Sequence, residues 1–142
     1  MTVQLLEPVE TVDTTQPPVL EFVAPMPGFP HDRRFVLVAL DDTGMLYSLQ
    51  SVDRPQLRFL VAPPAPFFPD YSVEVDDATI EDLGVVDPSD VLVLLVINAG
   101  DGPADASANL MAPIVLARHS LRAVQVILGR SGLPVRAPLF IG

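Results

Sequence analysis

The chain has 142 residues, with 18 Asp and Glu against 8 Lys and Arg, giving a formal net charge of -10 and a pI near 4.3. All eight cations are arginine, and acidity this strong opposes the phosphate backbone, which excludes direct nucleic-acid binding. With no cysteine and only two histidines, disulfides, thiolate metal sites, cysteine nucleophiles and most zinc constellations are out of reach.

At the start of the chain, residues 1–6 carry no basic stretch, and no apolar segment of signal-peptide length follows, so the expected location is cytoplasmic. Short runs rich in Val, Leu, Ile and Phe, bounded by Pro, Gly or Asp, predict strands at residues 2–6, 9–12, 19–23, 34–40, 45–51, 56–61, 71–75, 91–97, 114–118 and 123–128. Between the fourth and fifth, Asp41, Asp42, Thr43 and Gly44 predict a hairpin turn, since Asp initiates turns and Gly44 tolerates positive φ. Residues 76–84 break the strand pattern. A carboxylate opens the segment, acids fill its first turn and a glycine follows its end, so one short helix is expected near Asp77–Leu83, with Ile80 and Leu83 on its buried face. A further helical turn at 87–90 is entered through Pro88. The aliphatic run 91–97 has seven residues where a membrane-spanning helix needs about 20, so it reads as a buried strand and no membrane partner is expected.

Sixteen prolines and eight glycines are scattered as punctuation between these elements. The fold class that follows is mostly β, a small single-domain β-barrel-like fold of about ten short strands with one short helix, spanning residues 1–142. Closure is favoured because so apolar a sequence would otherwise expose sticky strand edges. The positive mean hydropathy also hints at apolar surface meant for a partner.

No constellation for catalysis emerges, so the chain is not expected to be an enzyme. His119 and Ser120 resemble a base and a nucleophile, but neighbours on a strand point to opposite faces. His31, Asp32, Arg33 and Arg34 read as a solvated polar loop. Gly100, Asp101, Gly102 and Asp105 lack the acidic spacing and terminal glutamate of a calcium loop, and no glycine-rich phosphate cradle follows a strand. No metal, cofactor or small-molecule substrate is expected. The densest acidic stretch, Asp76, Asp77, Glu81, Asp82, Asp87 and Asp90, is either solvation and capping or a steering surface for a basic partner. Aromatic residues are scarce, and three of the nine stand in Phe67, Phe68, Pro69, Asp70 and Tyr71 after Pro63, Pro64 and Pro66. Phe67 and Phe68 either plug the barrel or anchor a partner from a loop stiffened by proline.

Five segments, in order, carry a resemblance to one known family. Residues 19–29 end in Pro25, Met26, Pro27, Gly28 and Phe29, similar to the family's Gly-Leu-Pro-Gly-Phe turn after a strand. Residues 46–61 (LYSLQSVDRPQLRFLV) resemble its strand, Gln-Ser-x-Asp-x-Pro turn and second strand. Residues 67–71 (FFPDY), 107–115 (SANLMAPIV) and 123–128 (AVQVIL) are similar to three further segments, and together the five resemble the flagellar assembly factor FliW family. After Leu128 the chain departs, because residues 129–138 replace an acidic stretch and an Arg-His-Pro-Leu ending.

The resemblance implies a non-enzymatic β-barrel-like protein that binds and antagonises CsrA, an RNA-binding translational regulator, and also binds flagellin, the two partners competing. Translation of flagellin is thereby coupled to its export and assembly. The alternative is a flagellin-binding chaperone or structural partner without translational control. The partner-binding residues expected are Gln50, Asp53, Phe67, Phe68, Asp70, Tyr71 and Asn109. Each polar member also has a structural reading: Asp53 as a turn cap, Asn109 as a brace for the loop before Pro113, and Gln50 paired with Gln125 across strands. The terminal residues 139–142 are apolar and suit an edge or a neighbouring subunit.

Overall fold

The computed structural model describes residues 2–4, 18–26, 28–85, 87–98, 106–128 and 132–139. In chain order the strands are β1 (Thr2–Gln4), β2 (Val19–Phe22), β3 (Arg34–Ala39), β4 (Tyr47–Ser51), β5 (Arg58–Ala62) and β6 (Ser72–Glu74). Helix α1 (Asp77–Leu83) and a 3-10 turn (Pro88–Asp90) follow, then β7 (Val91–Asn98), β8 (Ser107–Ala108), β9 (Ile114–Ala117), β10 (Arg122–Gln125) and β11 (Ala137–Pro138). The expected strand at 9–12 and the glycine-rich stretch 100–105 lie outside the described residues. The two-residue strands β8 and β11 carry too little pattern to be read from sequence.

Seven strands close a barrel in the order β7, β5, β4, β3, β2, β10, β9 and back to β7. Every pairing in the ring is antiparallel except β2 with β10, which run parallel. Period-two alternation fills the interior. On β3 and β4, Phe35 faces Ser51, Leu37 faces Leu49 and Ala39 faces Tyr47. With Leu20, Phe22, Val61, Leu92, Leu94, Ile114 and Leu116 these side chains form one core, and Phe22 and Phe35 meet edge to face at 5.3 Å. The predicted hairpin is present: Asp41 accepts from the amides of Thr43 and Met45 at 3.2 Å, and Gly44 sits at φ +74°.

Strand β7 is the hub. Its first half, Val91 to Leu94, pairs with β9, while Leu95 to Ile97 pair with β5. Leu92 and Leu94 point into the barrel, and Val91 and Val93 point outward into a second cluster with Val73, Val75, Leu83, Val115 and Ala117. Burial on both faces explains the unbroken aliphatic run, which confirms the buried strand expected there. A third cluster, built from Leu95, Ala106, Ala108, Leu110, Ala137 and Leu139, seals the far end of β7. Residues 137–139 dock on their own chain: β11 pairs with β8, and the Leu139 amide donates to the Ala106 carbonyl at 3.0 Å, while 140–142 of the expected apolar tail lie outside the described residues.

Helix α1 is short because both ends are fastened. The Asp76 carboxylate accepts from the Thr79 amide at 2.8 Å, and Gly84 takes the left-handed conformation at φ +72° just past the end. From the turn between β9 and β10 the Ser120 hydroxyl donates to the Leu83 carbonyl at 2.6 Å, and from the start of β10 Arg122 donates to the Asp82 carbonyl at 3.2 Å. Turn and strand thus supply a donor and a cation to carbonyls that a helix end leaves open. Among the described residues no helix is long and apolar enough to cross a membrane.

Leu94→Ala should cost about 2–5 kcal/mol in urea unfolding, because it removes a fully buried side chain from the barrel core and leaves a void. At Gly84 an added Cβ would meet only Ser120 at 3.8 Å, an ordinary contact, so Gly84→Ala should cost about 1 kcal/mol from its backbone conformation alone. A loss near that of Leu94→Ala would mean that packing rather than φ controls the position.

Candidate partner-binding site

The expected site residues fall into two groups that leave opposite ends of β5. Gln50 pairs across the sheet with Arg58 at the start of β5, whereas the aromatic loop follows Ala62 at its end. In the loop, the amides of Phe67 and Phe68 donate to the Pro64 carbonyl and that of Tyr71 donates to Phe68. Phe67 and Phe68 do not plug the barrel: the interior is already filled, and both rings rest half-buried on the third cluster outside it. Tyr71 bridges the second and third clusters. Its hydroxyl donates to the Leu110 carbonyl at 2.6 Å, and burial pushes its pKa up to about 12. Asp70 is exposed beside these rings.

Asn109 joins this group through Leu110, but it also performs a backbone task. Between Ala108 and Ile114 five residues stand opposite the two residues of β7 between Leu94 and Ile97. The chain must bulge there to pass from β8 to β9 along one edge of β7. The Asn109 side-chain oxygen accepts from Met111 at 3.0 Å and Ala112 at 3.2 Å, and its own amide donates to Val96. The brace reading therefore holds. Gln125 donates to the Ala112 carbonyl at 3.1 Å, which corrects the pairing with Gln50: the bulge, rather than a neighbouring strand, claims its amide.

At the other end, Asp53 forms an exposed ion pair with Arg34 at 3.4 Å. Beneath it lies a lock that the sequence did not reveal. Asp32, only 2% exposed, accepts from the Ser51 hydroxyl at 2.9 Å and from Arg54 through both carboxylate oxygens. The Arg54 hydrogen bond, followed by that of Ser51, holds the Asp32 carboxyl below its usual range against the opposing effect of burial. Arg33 donates to the Phe22 and Val23 carbonyls at 2.9 Å. The polar run 31–34 is thus not simply solvated: two of its four members fasten the barrel end.

Of the other chemical candidates, His119 and Ser120 stand in a turn rather than on a strand and do not meet. His119 is 81% exposed and contacts Asp90 at 3.0 Å, while Ser120 is committed to the helix end. Among the described residues no group of three or more His, Asp or Glu is arranged to hold a metal ion.

Beside α1 a groove of about 540 Å³ is lined by Glu74, Val75, Asp76, Asp77, Thr79, Val126, Ile127 and Leu128, with Ile127 54% exposed. Asp76 and Asp87 are held as caps, their carboxyls lowered by hydrogen bonds from Thr79 and Ser89. Glu74, Asp77, Glu81 and Asp82 stay exposed.

These features define a class: a small closed β-barrel that carries an aromatic loop and a carboxylate-rimmed groove on its outer surface. The family model described as FliW protein matches residues 7–139, and the chain belongs to the FliW family. Flagellar assembly factor FliW of Geobacillus thermodenitrificans (strain NG80-2) is 36% identical over 122 residues, covering 86% of this chain and 84% of that protein. Its counterpart from Bacillus subtilis (strain 168) is 31% identical over 121 residues, covering 85% of each. A crystal structure of the flagellar assembly factor FliW matches with a TM-score of 0.81 at 34% identity, covering 87% of this chain and 86% of that one.

Asn109→Ala should cost about 1–3 kcal/mol in denaturant unfolding, because two amides of the bulge lose their acceptor. The Asp32 carboxyl titrates lower in the folded than in the unfolded chain, so its stabilising contribution is present above about pH 4 and is lost as pH falls through the folded value. Asp32→Asn should therefore lower the melting temperature at neutral pH and make its decline below about pH 4 shallower. An unchanged acid slope would assign that decline to the capping aspartates instead.

Proposed function

We propose that this FliW-family protein works in the cytoplasm by binding rather than catalysis: it captures and antagonises a CsrA-type translational regulator, and it binds flagellin, coupling flagellin translation to export and assembly. The observation that carries the reading is the carboxylate-rimmed flank of α1 in a chain of this family. Glu74, Asp77, Glu81 and Asp82 are exposed, and no cation among the described residues pairs with their side chains. An RNA-binding regulator presents basic surface, so a partner at -10 is steered toward it and repels RNA phosphate from the same neighbourhood. Screening limits that reach to about 8 Å at physiological ionic strength, which supports a contact at or beside the charged flank. Flagellin binding is supported by the relatives' description as flagellar assembly factors.

The aromatic loop offers the second component of the face. Phe67, Phe68 and Tyr71 are held by backbone turns and by the Leu110 carbonyl, so little conformational entropy is lost on contact, and Asp70 sits among them as an acceptor. Asn109 adjoins this loop through its neighbour Leu110, whose carbonyl accepts from Tyr71. Gln50 and Asp53 belong to the other end of β5 and would enlarge the face only for a partner that reaches along the strand.

Calorimetric titration of the CsrA-type dimer should show affinity falling about tenfold from low to high salt, and Glu81→Lys with Asp82→Lys should weaken it by about the same factor. Asp70→Lys tests the loop separately, and unchanged affinity with an intact fold removes the loop from the contact. Salt-insensitive binding of flagellin with no binding of the regulator would replace this reading with that of a flagellin-dedicated chaperone.

A further inference from the structure

The barrel is covered unevenly. Around β7 and β9 the outward valines are buried under β6 and α1. Across β2 to β5 the described residues supply no such layer. The register places two outward rows on that face, one running Val19, Val36, Gln50, Arg58 and the other Val38, Ser48, Leu60. Outward positions on a solvated antiparallel sheet are normally polar, yet four of these seven are apolar. Val19 is 46% exposed, and Leu40, which continues the outward side of β3, is 49% exposed.

A concavity of about 410 Å³ opens here between Leu40, Ser48, Gln56, Arg58, Phe59 and Leu60. Its charge is opposite to that of the molecule as a whole. At the far corner Glu21 stands opposite Arg34 on one side and Arg122 on the other, and Arg34 pairs with Asp53, so two acids meet two arginines there. Arg58 is exposed, and its guanidinium makes no hydrogen bond or ion pair with a described residue.

We propose that this outward face of β2 to β5 docks an amphipathic helical segment of a partner, its apolar stripe lying over Val36, Val38, Leu40 and Leu60 and its carboxylates reaching Arg58. Apolar area supplies the attraction, as on helix-binding grooves generally, and Arg58 supplies the sign selection. A basic segment would be turned away by Arg58 and drawn to the α1 flank. The two faces therefore sort partners by charge, and this assignment does not rest on the identity of either partner proposed above.

The test uses the full chain, labelled with 15N, and two synthetic helical peptides that share one leucine stripe. One carries glutamates beside the stripe and the other carries lysines. The glutamate peptide should shift the amides of Val36, Val38, Ser48, Gln50 and Leu60. Arg58→Glu should weaken its binding about tenfold or more, and Leu40→Ser should weaken it as well. Both substitutions are at exposed positions and leave the core untouched. The lysine peptide should shift resonances around α1 instead. Equal occupation of the β2 to β5 face by both peptides, indifference to Arg58→Glu, or no shifts on this face would overturn the proposal. Self-association in sedimentation that Leu40→Ser abolishes would also overturn it, by assigning the face to a second copy of the chain.

Discussion

The structure depends on one strand satisfying partners on both edges and burying side chains on both faces. β7 meets β5 on one edge and β8 then β9 on the other, and Ile97 has a cross-strand neighbour on each side. Because its inward leucines complete the barrel while its outward valines seed the covering layer, the barrel and its flank cannot be stabilised independently. The cost of this arrangement is a mismatch in residue number along one edge. The bulge braced by Asn109 absorbs it, and Tyr71 ties the aromatic loop to the same place.

That coupling bears on the proposed function. The carboxylate flank and the aromatic loop are both mounted on the layer that covers β7, so they are carried by the best-buried part of the molecule. Binding groups held on rigid supports lose less entropy on contact than groups on free loops. The opposite side of the barrel has the reverse character, with apolar side chains facing outward from strands that nothing among the described residues covers.

The elements that the sequence revealed are those whose cause is local. Helix α1 could be read because Asp76 and Gly84 are caps whose chemistry acts within a few residues, and β7 because seven consecutive aliphatic side chains can be tolerated only with both faces covered. What could not be read depends on distant partners. β8 and β11 are two residues each and exist only because they find each other and β7. The Asp32, Ser51 and Arg54 lock joins residues about twenty positions apart, and nothing in a charged loop distinguishes a fastened carboxylate from a solvated one. The candidate site was legible in part: the FFPDY loop and Asn109 converge through Leu110, while Gln50 and Asp53 stand apart because β5 separates them. The outward apolar row of β3 was present in the run from Arg34 to Leu40, where polar alternation is missing after the first residue. The same lack of alternation marks a covered strand in β7 and an uncovered one in β3, so only the fold tells them apart.

The parallel seam between β2 and β10 has a consequence for how the molecule is made. Its registered pairs, Arg122 with Glu21 and Ala123 with Phe22, join residues about a hundred positions apart, whereas the meander from β2 to β5 is built from neighbours. Local hairpins form early and long-range pairings late. During synthesis, the edge of β2 must therefore wait for almost the whole chain to leave the ribosome before it finds its mate. Until then the ring stays open at β2, and with two registered pairs the seam is the shortest joint of the finished ring among the described residues.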